Sequence, residues 1–375
     1  MAPTTKILSH GSRLVEKLKT YWFGKKIEEP PAISIRTAFL CAVLFTVFYI
    51  APFYISSTLR TSPLSSRDAP AVIQGRIRAV GLSCLASSLV AVYIIVHFGH
   101  AGVYDVLRLL GLWPIDPLDI LKALALVSIL FAGPLYETIV VDGGWRAFNF
   151  RGLKTTFFDS WIAFRNNFIS PISEELVFRS LVISLYLLAK VAPSRIVFTT
   201  PLIFGLAHVH HFVEFVQSRL AMNRPGSTGR IVLMGVVRSL FMLTYTSLFG
   251  FFAAFVHLRT GNLLAAIITH MFCNVMGLPR LWGKVGQDQD FRKLTPDVAQ
   301  GKRDDTLEAQ SRSEAGIEMM SVHGGSGPNK ISRDLGVQWT IVYYVLLFAG
   351  AYGFYRELWV LTESKNALAT YWKFV

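Results

Sequence analysis

Between Thr37 and Ile55 the chain runs without a single charged residue, and between Ala79 and Val96 it does so again. Roughly 20 apolar residues span a bilayer as a helix. In lipid, every backbone N–H and C=O must be satisfied within the spanning element, so such runs fold as helices. Further apolar segments of comparable length follow: Ile120 to Tyr136, Trp161 to Leu188, Ile196 to Val216, Ile231 to Leu258, Asn262 to Leu278 and Trp339 to Phe354. The expected fold is all-α, a polytopic integral membrane protein of about eight transmembrane helices. Composition agrees. Hydrophobic residues are 52% of the 375 and charged residues only 16%, against about 25% charged in soluble domains.

The net charge of +13 does not point to nucleic acid, because no basic patch is interleaved with stacking aromatics. The basic residues fall mainly between the apolar segments, where they can meet anionic lipid headgroups. The cysteines Cys41, Cys84 and Cys273 all lie inside apolar stretches and form neither a disulfide framework nor a paired-Cys zinc site. No cleavable signal peptide is visible.

Four regions are expected. Residues 1–36 form a basic tail, in which Ile7 to Phe23 reads equally as an interfacial helix or a mobile arm. Its Lys and Arg residues favour the cytosolic side. Residues 37–278 form the transmembrane core. Residues 279–336 are polar and, from Gln287 to Arg333, low enough in apolar residues to read as a disordered loop. Residues 337–375 hold the last span and a tail.

The middle segments differ from ordinary spans in carrying charge at depth, which costs on the order of 2.5–3.5 kcal/mol per residue on insertion scales. In Ser173-Glu174-Glu175-Leu176-Val177-Phe178-Arg179, Glu175 and Arg179 are four apart on a helix and can pair. Glu174 points about 100° away, so one carboxylate can be an anchored ion pair while the other does acid–base work. Both could equally pin helices together. His208 follows Phe204 by four residues and is the first of three histidines with His210 and His211, the latter two expected near the membrane interface. His270 and Asn274 are four apart and share a face, as donors to an oxyanion would. Cys273 lies beside them, but no base at suitable spacing adjoins it in sequence, and an apolar setting disfavours a thiolate. Neither Gly-x-Ser-x-Gly nor His-Glu-x-x-His occurs in the chain.

Glu-Glu-x-x-x-Arg (Glu174, Glu175, Arg179), Phe-x-x-x-His (Phe204, His208) and His-x-x-x-Asn (His270, Asn274), in that order on apolar helices, resemble the type II CAAX prenyl endopeptidases within the wider CPBP/ABI family of membrane proteases. The resemblance covers about Phe168 to Leu278. It implies an enzyme of the endoplasmic reticulum membrane. Its substrates would be proteins ending in a prenylated Cys and three further residues, such as Ras-type GTPases and pheromone precursors. Cleavage would follow the prenyl-cysteine. On this resemblance Glu174 and His208 activate water, His270 and Asn274 form the oxyanion hole, and Glu175 and Arg179 orient the first motif. Glu174, His208 and His270 also make a two-His, one-carboxylate set of the kind that binds catalytic zinc. Asn274 beside His270 is an uncommon zinc ligand but a good oxyanion donor, so no metal and no cofactor is expected. The rival classes are a non-catalytic membrane binding protein of the same broad family and a transporter, since intramembrane Glu and His also build proton relays.

Overall fold

The computed structural model describes residues 30–60, 68–147, 149–208, 210–222, 228–286 and 335–371. They belong almost entirely to one compact unit, Ile33–Val375. The expected interfacial helix Ile7 to Phe23 and the expected disordered loop Gln287 to Arg333 lie outside the described residues. Among those described there is no strand.

Helix α1 (Ile35–Ile50) starts at Ser34, whose hydroxyl accepts from the Thr37 amide at 3.1 Å. Such a cap satisfies one of the amides that a helix start leaves open. Helix α2 is Pro70–His97 and the short α3 is Val103–Leu109. Helix α4 (Pro117–Leu130) is capped by Asp116, and α5 (Ala132–Val141) turns away from it by 83°. Proline at the first turn of α2 and α4 fits where no intrahelical amide is needed. Helix α6 (Phe150–Phe158) precedes a continuous helical run, 161–188, which we call α7. Then come α8 (Pro193–Ala207), α9 (His210–Met222), α10 (Thr228–Thr260), α11 (Leu263–Met276), α12 (Val337–Glu357) and α13 (Leu368–Tyr371).

Each of the eight segments read as spans is helical, but five helices are long and apolar enough to cross a membrane, or six if α4 and α5 are one bent span. The difference has two physical causes. Helix α7 carries four charged residues, Arg165, Glu174, Glu175 and Arg179. Helix α11 has 14 residues, about 21 Å at 1.5 Å per residue, short of the roughly 30 Å hydrocarbon core. The segment Ile196 to Val216, expected as one helix, is one of the five candidate spans, Pro193–Gln217, with a turn after Ala207. There the His208 amide donates to Gly205 O at 3.0 Å, and α9 begins at His210.

Helix α7 is the centre of the unit. Every residue from 177 to 189 is buried, the polar Arg179, Ser180 and Ser184 among them. Helices α1, α2, α8, α10 and α11 pack on it. Its hydroxyls are also used: Ser180 Oγ donates to Leu110 O at 2.7 Å and Ser184 Oγ to Leu109 O at 2.8 Å, tying α7 to the end of α3. The outward faces of α10 and α12 expose Leu233, Val237, Leu240, Phe348 and Tyr352, a surface suited to lipid.

A buried ion pair fixes the chain after α11. Arg280 Nη2 donates to Glu137 Oε1 at 2.7 Å, its backbone amide to Tyr343 Oη at 2.7 Å, and its Nη1 to Lys284 O at 2.7 Å. This joins α5, the segment 279–286 and α12.

Helices α8 and α10 approach through glycines. A Cβ added at Gly205 would lie 2.5 Å from Ser247 Oγ and 2.8 Å from Leu243 Cδ1, and one at Gly250 would lie 2.7 Å from Pro201 Cβ. Small residues permit such close contact in apolar bundles. Gly205→Leu is expected to force α8 off α10 and to lower stability by about 1–3 kcal/mol, read as a lower thermal unfolding midpoint in detergent. An unchanged midpoint would show that this contact does not hold the two helices.

Candidate active site

Helix α7 is not regular. It widens to π-helical turns at Phe164–Ile169 and Leu176–Leu181, on either side of the α-helical turns Ser170–Glu175. Such turns are rare and recur at functional sites because they shift the phase of the side chains that follow. Here they bracket the two adjacent carboxylates.

Glu174 and Glu175 meet different surroundings. The Glu175 side chain has no solvent exposure, and its Oε1 lies 3.1 Å from Arg179 Nη1. The same oxygen is 2.7 Å from Nδ1 of His270 on α11. An ionised carboxylate can only accept, so Nδ1 is the donor and Nε2 faces the other way. The Arg179 guanidinium is sandwiched further, 4.4 Å from the Phe204 ring centroid and 5.7 Å from that of Phe249. Glu174 keeps 17% side-chain exposure and stands 4.0 Å from His270 Nε2. It makes no hydrogen bond among the described residues.

A cavity of about 190 Å³ opens against these groups. Glu174, His208, His270 and Asn274 all line it, whereas Glu175 and Arg179 stand behind the wall. Three separate elements thus deliver the four candidates to one space: α7, the break after α8, and α11. His208 is held by its own helix, with Nδ1 2.9 Å from Phe204 O and its ring 4.8 Å from that of Phe204. A carbonyl can only accept, so the proton is on Nδ1 and the accepting lone pair is on Nε2. Asn274 Nδ2 gives one hydrogen to Asn166 O at 2.9 Å, which leaves its second hydrogen to be aimed elsewhere. His211, expected at the interface, also lines the cavity, its ring 6.0 Å from that of His208. The side chain of His210 is outside the described residues. Cys273 is buried at the cavity wall.

Two arginines of the wall, Arg76 on α2 and Arg165 on the first π-turn of α7, carry no role in the sequence reading. Arg165 bore a signal, being a charge inside an apolar segment. Arg76 bore none, because it precedes the apolar run Ala79 to Val96 and reads as a flanking cation. Among the described residues no group of three His, Cys, Asp or Glu side chains is gathered as a metal would require.

Comparison with known proteins places these residues in context. The family model described as Type II CAAX prenyl endopeptidase Rce1-like matches residues 155–276, the span from the end of α6 to the end of α11. A Schizosaccharomyces pombe protein named Probable CAAX prenyl protease 2 is 33% identical over 254 residues, 68% of this chain and 86% of that protein. The Homo sapiens CAAX prenyl protease 2 is 33% identical over 63% of this chain and 70% of its own length. The Arabidopsis thaliana CAAX prenyl protease 2 is 30% identical, over 67% and 83%. No solved structure matches the chain.

The Glu175–Arg179 pair is buried on both sides, and removing one partner of such a pair costs roughly 3–5 kcal/mol. Arg179→Ala is therefore expected to lower the thermal unfolding midpoint markedly and to free the His270 ring. A folded Arg179→Ala protein of unchanged midpoint would mean that the pair does not hold α7 and α11 in register.

Proposed function

The chain belongs to the type II CAAX prenyl endopeptidases, and from that premise we propose that Glu174 and His208 activate a water molecule that cuts the peptide bond after the prenylated cysteine. It is an enzyme embedded in the membrane, and its substrates are prenylated CAAX proteins. Ras-type GTPases and pheromone precursors are the examples we expect, processed in the endoplasmic reticulum membrane.

The observation that carries this reading is the sharing of one cavity by Glu174, His208, His270 and Asn274. A water between Glu174 and His208 would give one hydrogen to the carboxylate and the other to His208 Nε2, leaving its oxygen lone pair for the scissile carbonyl. Glu174 takes the proton as general base. The tetrahedral oxyanion is met by the second Asn274 hydrogen and by His270 Nε2, which donates when the ring is doubly protonated. Collapse breaks the C–N bond, and Glu174 returns its proton to the departing amine of the tripeptide. Glu175 takes no part in proton transfer; it orients His270 through Nδ1, and Arg179 holds Glu175. Apolar helix faces hold the isoprenoid, whose burial in lipid gains about 0.8 kcal/mol per CH₂. An enzyme that cuts beside that chain works best from within the bilayer.

Release of the tripeptide from a farnesylated peptide by the purified protein in liposomes tests the activity. The same peptide with a free thiol should be cut far more slowly, and equal rates would remove the isoprenoid from the recognition. Glu174→Gln keeps the shape of the side chain and removes the base. It is expected to bind the farnesylated peptide and lose roughly two orders of magnitude or more in kcat. A Glu174→Gln enzyme within a few-fold of the parent would assign the base elsewhere.

A further inference from the structure

Helix α6 has nine residues, about 14 Å at 1.5 Å per residue, too short to cross a bilayer. It packs against the first turns of α7, and one of its faces is fixed there. Phe157 packs with Phe168 of α7 and with Leu263, Ile267 and Met271 of α11. Asn167 Nδ2 donates to the Thr156 carbonyl at 2.8 Å. The residue before it, Asn166, holds Asn274 of the cavity through its own carbonyl. Helix α6 is thus built onto the same π-turn that steadies a side chain of the site.

Among the described residues nothing covers the outward face of α6. Phe150 is 83% exposed, and Leu153 and Phe158 are exposed as well. Arg151 and Lys154 stand exposed among them, and among the described residues neither side chain makes a hydrogen bond or an ion pair. The turn before the helix is tied on by Asn149, which accepts from the Gly152 amide and donates through Nδ2 to Arg146 O, both at 2.9 Å. It brings a third exposed cation, Arg146, whose guanidinium lies 5.1 Å from the centroid of the Trp145 ring. Exposed Trp145 and Trp161 bracket the segment. Between them stand these three cations and one acid, Asp159. Exposed Phe and Leu suit acyl chains, and the cations beside them need negative charge. Trp is enriched where hydrocarbon meets headgroup. A short helix with this mixture lies in that interface, its apolar side chains among acyl chains and its cations at the phosphates.

We propose that the segment from Trp145 to Trp161, with α6 at its centre, is a docking face for anionic phospholipid, whose headgroup is bound by Arg146, Arg151 and Lys154. The occupant is a membrane lipid, because the exposed Phe150 and Leu153 need acyl chains that a free phosphate lacks. None of the three cations lines the cavity, so the proposal does not depend on the endopeptidase reading.

The test is the thermal unfolding midpoint of the full-length protein in micelles of a neutral detergent, titrated with dioleoyl lipids. Phosphatidylserine should raise the midpoint saturably, and phosphatidylcholine, with the same acyl chains, should raise it less. The soluble headgroup glycerophosphoserine should leave it unchanged. Each cation near an anionic surface contributes about fivefold in affinity. Arg151→Gln combined with Lys154→Gln should therefore raise the half-saturating phosphatidylserine content roughly tenfold or more. Arg151→Lys combined with Lys154→Arg keeps both charges and should respond as the parent does. Four results would each overturn the proposal. Equal responses of the parent to phosphatidylserine and phosphatidylcholine would remove the headgroup charge from the recognition. A double Gln variant with the parent's response would place the lipid elsewhere. Glycerophosphoserine as effective as the lipid would make this a site for soluble phosphate. A dimeric parent that the double Gln variant turns into a monomer would give the face to a second copy of the chain. The comparison of the two lipids on the parent protein stands even where a variant does not fold.

Discussion

Glu175 has no exposed surface and lies between the Arg179 guanidinium at 3.1 Å and the His270 imidazole at 2.7 Å. A charged group at that depth persists only where its partners are built into the same packing. The partners come from the next turn of α7 and from α11, so the register of these two helices is tied to one carboxylate. The consequences reach further. Arg179 is stacked on Phe204, and Phe204 in turn supplies the carbonyl that holds His208. Phe249, on α10, touches both Arg179 and the His270 ring at 4.4 Å. One buried charge pair is thus connected through rings and carbonyls to two histidines of the cavity, His208 and His270.

Departures from regular helix coincide with the polar groups. The π-turns at Phe164–Ile169 and Leu176–Leu181 flank Glu174 and Glu175, and the end of α8 falls at His208. Each departure leaves backbone groups that a regular helix would pair. In an apolar bundle these are tolerated where the backbone is buried in protein or lines a wet cavity. Asn166 O, in the first π-turn, shows how one such group is used, since it accepts from Asn274 and so fixes a side chain of the cavity.

Much of the helical architecture is readable in the chain because lipid admits few alternatives. The uncharged run Thr37 to Ile55 corresponds to helical residues through Ile55, and Ala79 to Val96 lies within Pro70–His97. The break at His208 is not readable from apolarity, which continues across it. The length of α11 shows from its boundaries alone, Asn262 as cap and Gly277 at φ 65° as stop. Within the site, four-residue spacing identifies which side chains share a face. It says nothing of which carboxylate takes His270, because Glu174 and Glu175 are neighbours in sequence and α11 is far along the chain. The cation Arg76 is illegible for a similar reason: packing of α2 against α7 brings it to the cavity, and no local pattern records that contact.

The two adjacent carboxylates meet different surroundings within one apolar site. Low dielectric strengthens every pairing available to a charge and penalises every charge without one. Glu175, with two partners within 3.1 Å, is held in place by this effect. Glu174 differs by one residue in position and by about 100° in direction. Its nearest basic atom among the described ion pairs is 4.0 Å away, and it alone of the two faces the cavity. A carboxylate that gains little from its neighbours loses little by accepting a proton, which is the condition a general base must meet. The spacing of the helix therefore separates a carboxylate held between two buried partners from one that faces the cavity, which is the division of labour that the proposed mechanism requires.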